Sequence, residues 1–551
     1  MKLTPFAKIF LTVVILGVLG FTLYMYRGKL KSMTKKKTPV AGSPKPSVSG
    51  SPQPSEPSVY DKDSFTGVNS AGQDPPRTGV TGVTAASVGE GKLDRPLIVA
   101  INTWAGHSPG IVANGGMTTA KGSIYDKLGL KVEFKIFDDP TTKFAAFRSG
   151  DIDIMWDTVD SWAREASVLG ADKVAAKSII MQDWSRGGDG VVSTSDIKSV
   201  EDLKGKSVSV IEFSPSHWLI LYLLSQSGLS NEEKKTVSLK IFNEPAQVKT
   251  AFTSGSVDAM VSWEPFLSEA QAALGDKAHM LVSTSAATNV IADTLVARQA
   301  IIDKAPASMR DFVLGWFQGI DAIKDNPPAA YAKVADGLKL TPEDVEAMLS
   351  GLKLTPFADN AQFYGLTGSK PHFETLFNSA YQVYRRLGKT QAAVDAKDYV
   401  DARFVAALAP LYPGQAVVEP SVKPATSKAN VKDKGILNKK LSINFSPGSA
   451  EIMAGSEFML DALGETMVSF GNTYLQVEGN TDSKGGTDVN IELSKKRADA
   501  VKDYLVKNFQ IPEARFKTLG LGPKNPVAPN TTEAGRQANR RTDIKVMLGA
   551  Q

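Results

Sequence analysis

The sequence predicts a multidomain α/β and α+β chain. It should contain an N-terminal transmembrane helix, a disordered linker, a two-lobed α/β domain and a smaller C-terminal α+β domain. Three observations lead there. Residues 6–26 form an almost unbroken apolar run. Stretches 38–91 and 413–434 are rich in Pro, Ser, Thr or Lys and lack an apolar period, so neither can bury a core. Between them, AFRSGDID at 146–153 recurs as AFTSGSVD at 251–258, an offset of 105 residues, which suggests two similar lobes.

The chain has 551 residues, 42% of them hydrophobic and 22% charged, enough for more than one core. It has no cysteine, which excludes a disulfide framework, a thiolate metal site and a Cys nucleophile. His107, His217, His279 and His372 are too scattered for a zinc motif, and neither a metal nor another cofactor is expected. The net charge of +5 misleads, because eight Lys/Arg and no acid lie in residues 1–40, leaving −3 for the remainder. No nucleic-acid-binding surface is implied.

Residues 9–26 alone give a mostly apolar run of 18 residues, about the minimum that spans a hydrocarbon core. No small-residue cleavage site follows, so an uncleaved inner-membrane anchor is expected, single-pass, with the domains in the periplasm. The six basic residues at 27–37 favour the opposite orientation by the positive-inside rule, a conflict that the nature of the domains outweighs. The expected divisions are an anchor with its basic flank at 1–37, a linker at 38–91, the two-lobed domain at 92–412, a second linker at 413–434 and the last domain at 435–551.

In the middle domain, β-branched runs at 96–102, 131–137, 152–156 and 207–212 read as strands, and 141–149, 162–169 and 217–227 as helices. Such alternation implies parallel sheets. In each copy of the repeat a helix should end at Gly150 or Gly255 and a strand follow. Two α/β lobes place a ligand cleft between them, beyond the strand ends.

The opening LIVAINTWAG, then FRSGDIDIMW, EDLKGKSVSV and VKTAFTSGSVDAMVSWEPF, resemble periplasmic substrate-binding proteins of the nitrate/sulfonate/taurine class over about 95–410. The resemblance implies hinged closure around a small solute and delivery to an ABC permease. Candidate solute-binding residues are Trp104, Asp157, Trp184, Ser214, Ser216, His217, Trp263 and Glu264. Ser214, Ser216 and His217 open a helix after a strand and suit an anionic headgroup, with Ser216 the alternative helix cap. Aromatics beside Asp157, Asp160, Asp183 and Glu264 would instead suit an amine or quaternary ammonium. Catalysis is not expected: neither a Ser-His-Asp arrangement nor a G-x-S-x-G elbow is present.

In the last domain, 441–452 reads as a strand and turn, 456–469 as a helix with Phe458, Leu460, Leu463 and Met467 at helical spacing, and 473–479 as a strand. A helix at 494–508 carries Ala498, Val501, Tyr504 and Leu505 on one face, and strands at 515–520 and 542–548 complete a mixed sheet. Residues 436–549 resemble the OmpA-like peptidoglycan-binding domain through Gly479-x-Thr481-Asp482, Asn490, Leu493-Ser494-x-x-Arg497-Ala498, Gly520-x-Gly522, Asn530, Gly535-Arg536 and Asn539-Arg540-Arg541. The resemblance implies that Asp482 takes the ammonium and Arg497 the carboxylate of a diaminopimelate stem peptide. Thr481 and Asn490 would stand alongside, Asn490 bonding the ligand backbone. A guanidinium and a carboxylate are the matching partners for such a zwitterion. Asn480 replaces a His common in that family.

The expected function is a membrane-tethered, wall-anchored solute receptor. The alternative is a sensor or structural envelope protein whose middle domain binds a partner. Flagellar stator B subunits share an anchor, tether and wall binder, but residues 6–26 hold no Asp or Glu for ion-driven torque.

Overall fold

The computed structural model describes residues 89–368, 371–414, 435–446 and 448–548. The apolar run 6–26, the first linker up to residue 88 and residues 415–434 lie outside them. Among the described residues no helix is long and apolar enough to cross a membrane.

Lobe 1 begins with β1 (Leu97–Ile101), β2 (Val132–Ile136), β3 (Ile154–Thr158) and β4 (Ala176–Ser185). The chain then crosses to lobe 2, which holds β5 (Asp189–Thr194), β6 (Ser207–Ile211), β7 (Ser238–Phe242), β8 (Ala259–Trp263) and β9 (Ala278–Ser283). It returns to lobe 1 for β10 (Ala292–Arg298) and β11 (Leu352–Leu354). The sheet orders are β11-β4-β10-β3-β1-β2 and β7-β6-β8-β5-β9.

The sheets are mixed, where the sequence suggested parallel ones. β1 is parallel to β2 and β3, and β6 to β7 and β8, but β10 and β5 run antiparallel to their neighbours. These are the strands that follow a crossing between lobes, so each enters its sheet from the opposite end.

The repeat has a structural cause. The helix Pro140–Ser149 ends at Gly150 with φ +90°, and Gly255 with φ +75° follows the helix Pro245–Thr253, a left-handed conformation glycine adopts without a Cβ penalty. After each turn an aspartate clamps the neighbouring strand. Asp153 Oδ2 accepts the Ile98 N–H of β1 at 3.0 Å, and Asp258 Oδ2 accepts the Ser207 N–H of β6 at 2.8 Å.

The C-terminal domain contains β12 (Leu437–Leu441), β13 (Thr473–Asn480), β14 (Phe516–Gly522) and β15 (Thr542–Leu548), in the order β12-β15-β13-β14. The first strand lies at 437–441, earlier than the 441–452 segment suggested, because these residues pair with β15 from Val546 back to Thr542. The helix Glu457–Ser469 buries Leu460, Leu463 and Met467, whereas Phe458 is 51% exposed and does not join that face. The helix Thr487–Phe509 starts two turns before 494 and buries Ala498, Val501 and Leu505.

This domain packs on lobe 2 and on the return crossing 284–291. Asn438 donates to Glu201 from its backbone at 3.0 Å and its side chain at 2.9 Å. Gln226 Oε1 accepts from Lys439 Nζ at 3.1 Å and Thr466 Oγ1 at 2.7 Å. On the crossing, Asn289 donates to Ser469 O from its backbone at 3.1 Å and to Val468 O from its side chain at 3.0 Å, while Thr288 Oγ1 accepts from Gly471 N at 3.1 Å. Tyr222 and Phe470 stack with ring centres 6.4 Å apart. A β-carbon on Gly228 would overlap Asn438 O, so the close approach requires glycine.

Candidate functional site

Polar groups gather at the lobe junction, where β3 and β4 end and β10 begins. Asp183 on β4 stands directly opposite Asp293 on β10, which stands opposite Thr158 on β3. Facing residues of paired strands share one side of a sheet, so the three form a row. Asp183 is fully buried beside Asp293 and the Trp104 indole. Burial pushes its carboxyl up to about 7. Asp293 is held well above the usual carboxylate range by burial first and then by Asp183.

Asp160 opens the helix Val159–Asp172; burial raises it to about 7, against hydrogen bonds from Thr158 and Ser161 that favour its charged form. Asp189, the first residue of β5, accepts from Ser185 Oγ at 2.8 Å and Ser216 Oγ at 2.9 Å, and burial raises it to about 6. Asp157 differs from these four. Lys143 Nζ sits 3.4 Å from it and 3.5 Å from Glu165, all three almost fully buried, and Arg164 lies 3.0 Å from Glu165. Asp157 is still held above the usual range by burial, then by Glu165.

The other candidates fall into distinct places. Trp104 follows β1, half-buried, with its Nε1–H against the Asp183 carboxyl, where it favours the charged form. A β-carbon on Gly106 would collide with Asp183 and lie 2.7 Å from Trp104 Nε1, so glycine permits this approach. Ser214, not Ser216, caps the helix Pro215–Gln226, accepting the His217 N–H at 3.1 Å. Ser216 is thereby free to hold Asp189. His217 accepts the Phe213 N–H at Nδ1 at 3.1 Å, leaving Nε2 buried without a partner, and burial lowers it to about 3. Trp263 ends β8 opposite Asp189 and is half-buried. Trp184 packs edge-on against Phe363 at 5.6 Å inside lobe 1. Glu264 accepts from Ser268 N at 3.1 Å and Oγ at 2.9 Å, bracing the first turn of the helix Phe266–Leu274.

The sequence reading left out Asp189, Asp293 and His107. His107 is buried with Nδ1 2.8 Å from Gln182 Oε1 and Nε2 2.6 Å from Asn102 Oδ1, and burial lowers it to about 4. Asp293 carried no local signal, because only the return of β10 between β3 and β4 brings it here.

In the C-terminal domain a cavity of about 330 Å³ is lined by Asn480, Arg497, Gln537, Arg540 and Arg541 together with 442–445. Arg497 donates to Ser449 O at 3.0 Å and lies over the Phe445 ring at 4.9 Å. Asp482 Oδ2 pairs with Arg540 at 2.6 Å, and its Oδ1 accepts the Lys484 N–H at 2.8 Å. Asn490 donates to Lys484 O at 2.9 Å and braces this loop, while Thr481 Oγ1 donates to Asp482 O at 2.9 Å. Asn480 donates to Asp543 at 3.2 Å and borders the cavity. Arg540, whose role the sequence left open, links Asp482 to the cavity wall. Arg541 pairs with Asp543 at 2.8 Å.

Residues 118–330 match the NMT1/THI5 like family and residues 444–540 the OmpA family. The chain thus joins an NMT1/THI5-like region to an OmpA-family region. The OmpA-family domain is 37% identical over 112 residues to the probable lipoprotein YiaD of Escherichia coli, covering 20% of this chain and 51% of that protein. It is 34% identical over 104 residues to the peptidoglycan-binding protein ArfA of Mycobacterium tuberculosis, covering 19% and 32%. The chain thus spans about half the length of the first relative and a third of the second. Among solved structures, the periplasmic aliphatic sulphonate binding protein SsuA from Escherichia coli aligns at 16% identity and TM-score 0.45, over 56% of this chain and 98% of that one.

Proposed function

We propose that the protein is a non-enzymatic, cell-wall-associated receptor of the bacterial envelope. The middle domain closes its two lobes on a small solute, and the OmpA-family domain holds peptidoglycan through Asp482 and Arg497, with Thr481 and Asn490 bracing the loop. Residues 6–26 anchor the chain in the inner membrane, and the solute passes to an ABC permease. The reading is carried by the pairing of a two-lobed fold, with buried acids gathered at its junction, and an OmpA-family domain whose cavity is edged by Arg497. A guanidinium near a carboxylate can meet both ends of a zwitterionic stem peptide.

Co-sedimentation with diaminopimelate-type peptidoglycan tests the second half. An Asp482→Ala/Arg497→Ala chain should stay in the supernatant, and undiminished pelleting refutes the assignment.

A second reading, in which the middle domain senses a solute rather than delivering it, is favoured by the hydrogen bonds that Thr288 accepts from, and Asn289 donates to, the OmpA-family domain. Here closure would report to a partner rather than feed a permease. Deleting a co-encoded permease would abolish solute uptake under the first reading only.

A further inference from the structure

Both carboxylate oxygens of Asp482, the group proposed above to meet the ammonium of the stem peptide, are engaged within the chain. Oδ1 accepts the Lys484 N–H at 2.8 Å, a bond closed inside one short loop. Oδ2 accepts from Arg540 Nη1 at 2.6 Å, across 58 residues of sequence. The Asp482 side chain is 11% exposed, which leaves little room for a second cation while the guanidinium stays. A ligand ammonium must therefore compete with Arg540 for Oδ2.

Arg540 is placed to yield. Its side chain is 38% exposed, and its other terminal nitrogen, Nη2, donates to Glu533 Oε1 at 3.0 Å. A guanidinium keeps its charge at any physiological pH and presents its donors in a fixed fork, so one residue serves two acids at once. Leaving Asp482 does not strand the charge, because Glu533 retains it. Glu533 divides its oxygens to match: Oε2 takes Arg536 through Nη2 at 2.6 Å and Nε at 3.0 Å, and Oε1 takes Arg540. Partly exposed ion pairs are weak enough to exchange.

The same side chain borders the cavity of about 330 Å³ next to Arg497. It stands between the two residues proposed to grip the ligand, and its charge acts on both, raising the competition at Asp482 and repelling Arg497. We propose that Arg540 sets the specificity of the peptidoglycan site as an internal competitor, holding Asp482 until a ligand ammonium displaces it onto Glu533. A wall fragment without an ammonium cannot replace the pairing that Asp482 would lose. This rests on the reading in which Asp482 receives the ammonium, and it adds a residue that opposes binding.

The test is quantitative co-sedimentation of the full chain with diaminopimelate-type peptidoglycan at fixed ionic strength. Arg540→Gln should bind about threefold tighter or more, and Glu533→Gln about threefold weaker or more, since its loss ties Arg540 to Asp482. The double variant should bind like Arg540→Gln alone, because Glu533 acts through Arg540; a merely structural Glu533 would weaken both backgrounds alike. Circular dichroism checks the fold, and Glu533→Gln decides the matter should Arg540→Gln misfold. Weaker or unchanged binding by folded Arg540→Gln, or unchanged binding by Glu533→Gln, overturns the competitor. Asp482→Ala separates the two levels: undiminished pelleting by that variant overturns the ammonium reading and the competitor together, whereas lost pelleting with Arg540→Gln no tighter than the parent overturns the competitor alone.

Discussion

Asp183 and Asp293 face each other across β4 and β10, both buried, and the two acids hydrogen-bond each other. Such carboxyls bind more protons folded than unfolded, so stability is lost as pH rises toward and through their folded pKa values. Asp160 and Asp189 add to this slope, with folded values near 7 and 6. His107 and His217, lowered by burial, act in the opposite direction only below about pH 6.5, where the unfolded chain takes up protons. The interval from about pH 6.5 to 8 therefore isolates the acids. Urea unfolding of ligand-free protein should give lower stability at pH 8 than at 6.5. Asp183→Asn should reduce that loss by about 1 kcal/mol. Equal slopes for the two proteins would contradict the picture of an uncompensated junction.

Lys143 is the reverse case, a buried cation between two buried acids. Lys143→Met should cost about 3–5 kcal/mol, because Asp157 and Glu165 lose the charge that neutralises them. The triple replacement Lys143→Met/Asp157→Asn/Glu165→Gln should recover much of the loss. Denaturant titration of both variants measures the difference, and a single replacement as stable as the parent would show that the pairing is dispensable.

The seam between lobe 2 and the OmpA-family domain depends on Gly228. Gly228→Ala places a methyl on Asn438 O and should separate the domains without unfolding either. Calorimetry should then resolve two transitions where the parent melts as one, with hydrogen exchange accelerating at 436–441 and 284–291. A single unsplit transition, with unchanged exchange, would mean the seam tolerates the methyl.

Two arginines of the OmpA-family domain should behave differently. Arg497 lines the cavity, whereas Arg536 is tied to Glu533 at 2.6 Å and Asn530 O at 2.8 Å. Arg497→Ala should lower peptidoglycan affinity tenfold or more, and Arg536→Ala should change it less than twofold. Equal losses would move the binding locus away from the cavity.

Much of this architecture is readable from local sequence, because β-branched runs and glycine-terminated helices announce themselves over ten residues. The repeat is the clearest case: Gly150 and Gly255 end helices, and Asp153 and Asp258 clamp the next strand. The antiparallel strands β5 and β10 were not legible, since their direction follows from where the chain crosses between lobes. The junction acids show the same limit. Asp183 stands beside a tryptophan in sequence, but Asp293 joins it only through strand order, and Asp189 only through the first crossing. Trp184 and Glu264 have the right residue types at strand ends, yet core packing claims one and a helix's first turn the other. In the last domain, fixed spacing marks Asp482 and Arg497, while the Asp482–Arg540 pairing spans 58 residues and needs the folded chain.

The contact between the return crossing 284–291 and the C-terminal domain assigns the moving part. Lobe 2 shares a packed seam with that domain, whereas lobe 1 meets lobe 2 through the two crossings and through contacts such as Lys389–Glu212 and Tyr384–Trp218. Whatever fixes the C-terminal domain in space fixes lobe 2 as well, and any change in the angle between the lobes is a swing of lobe 1 against a stationary frame.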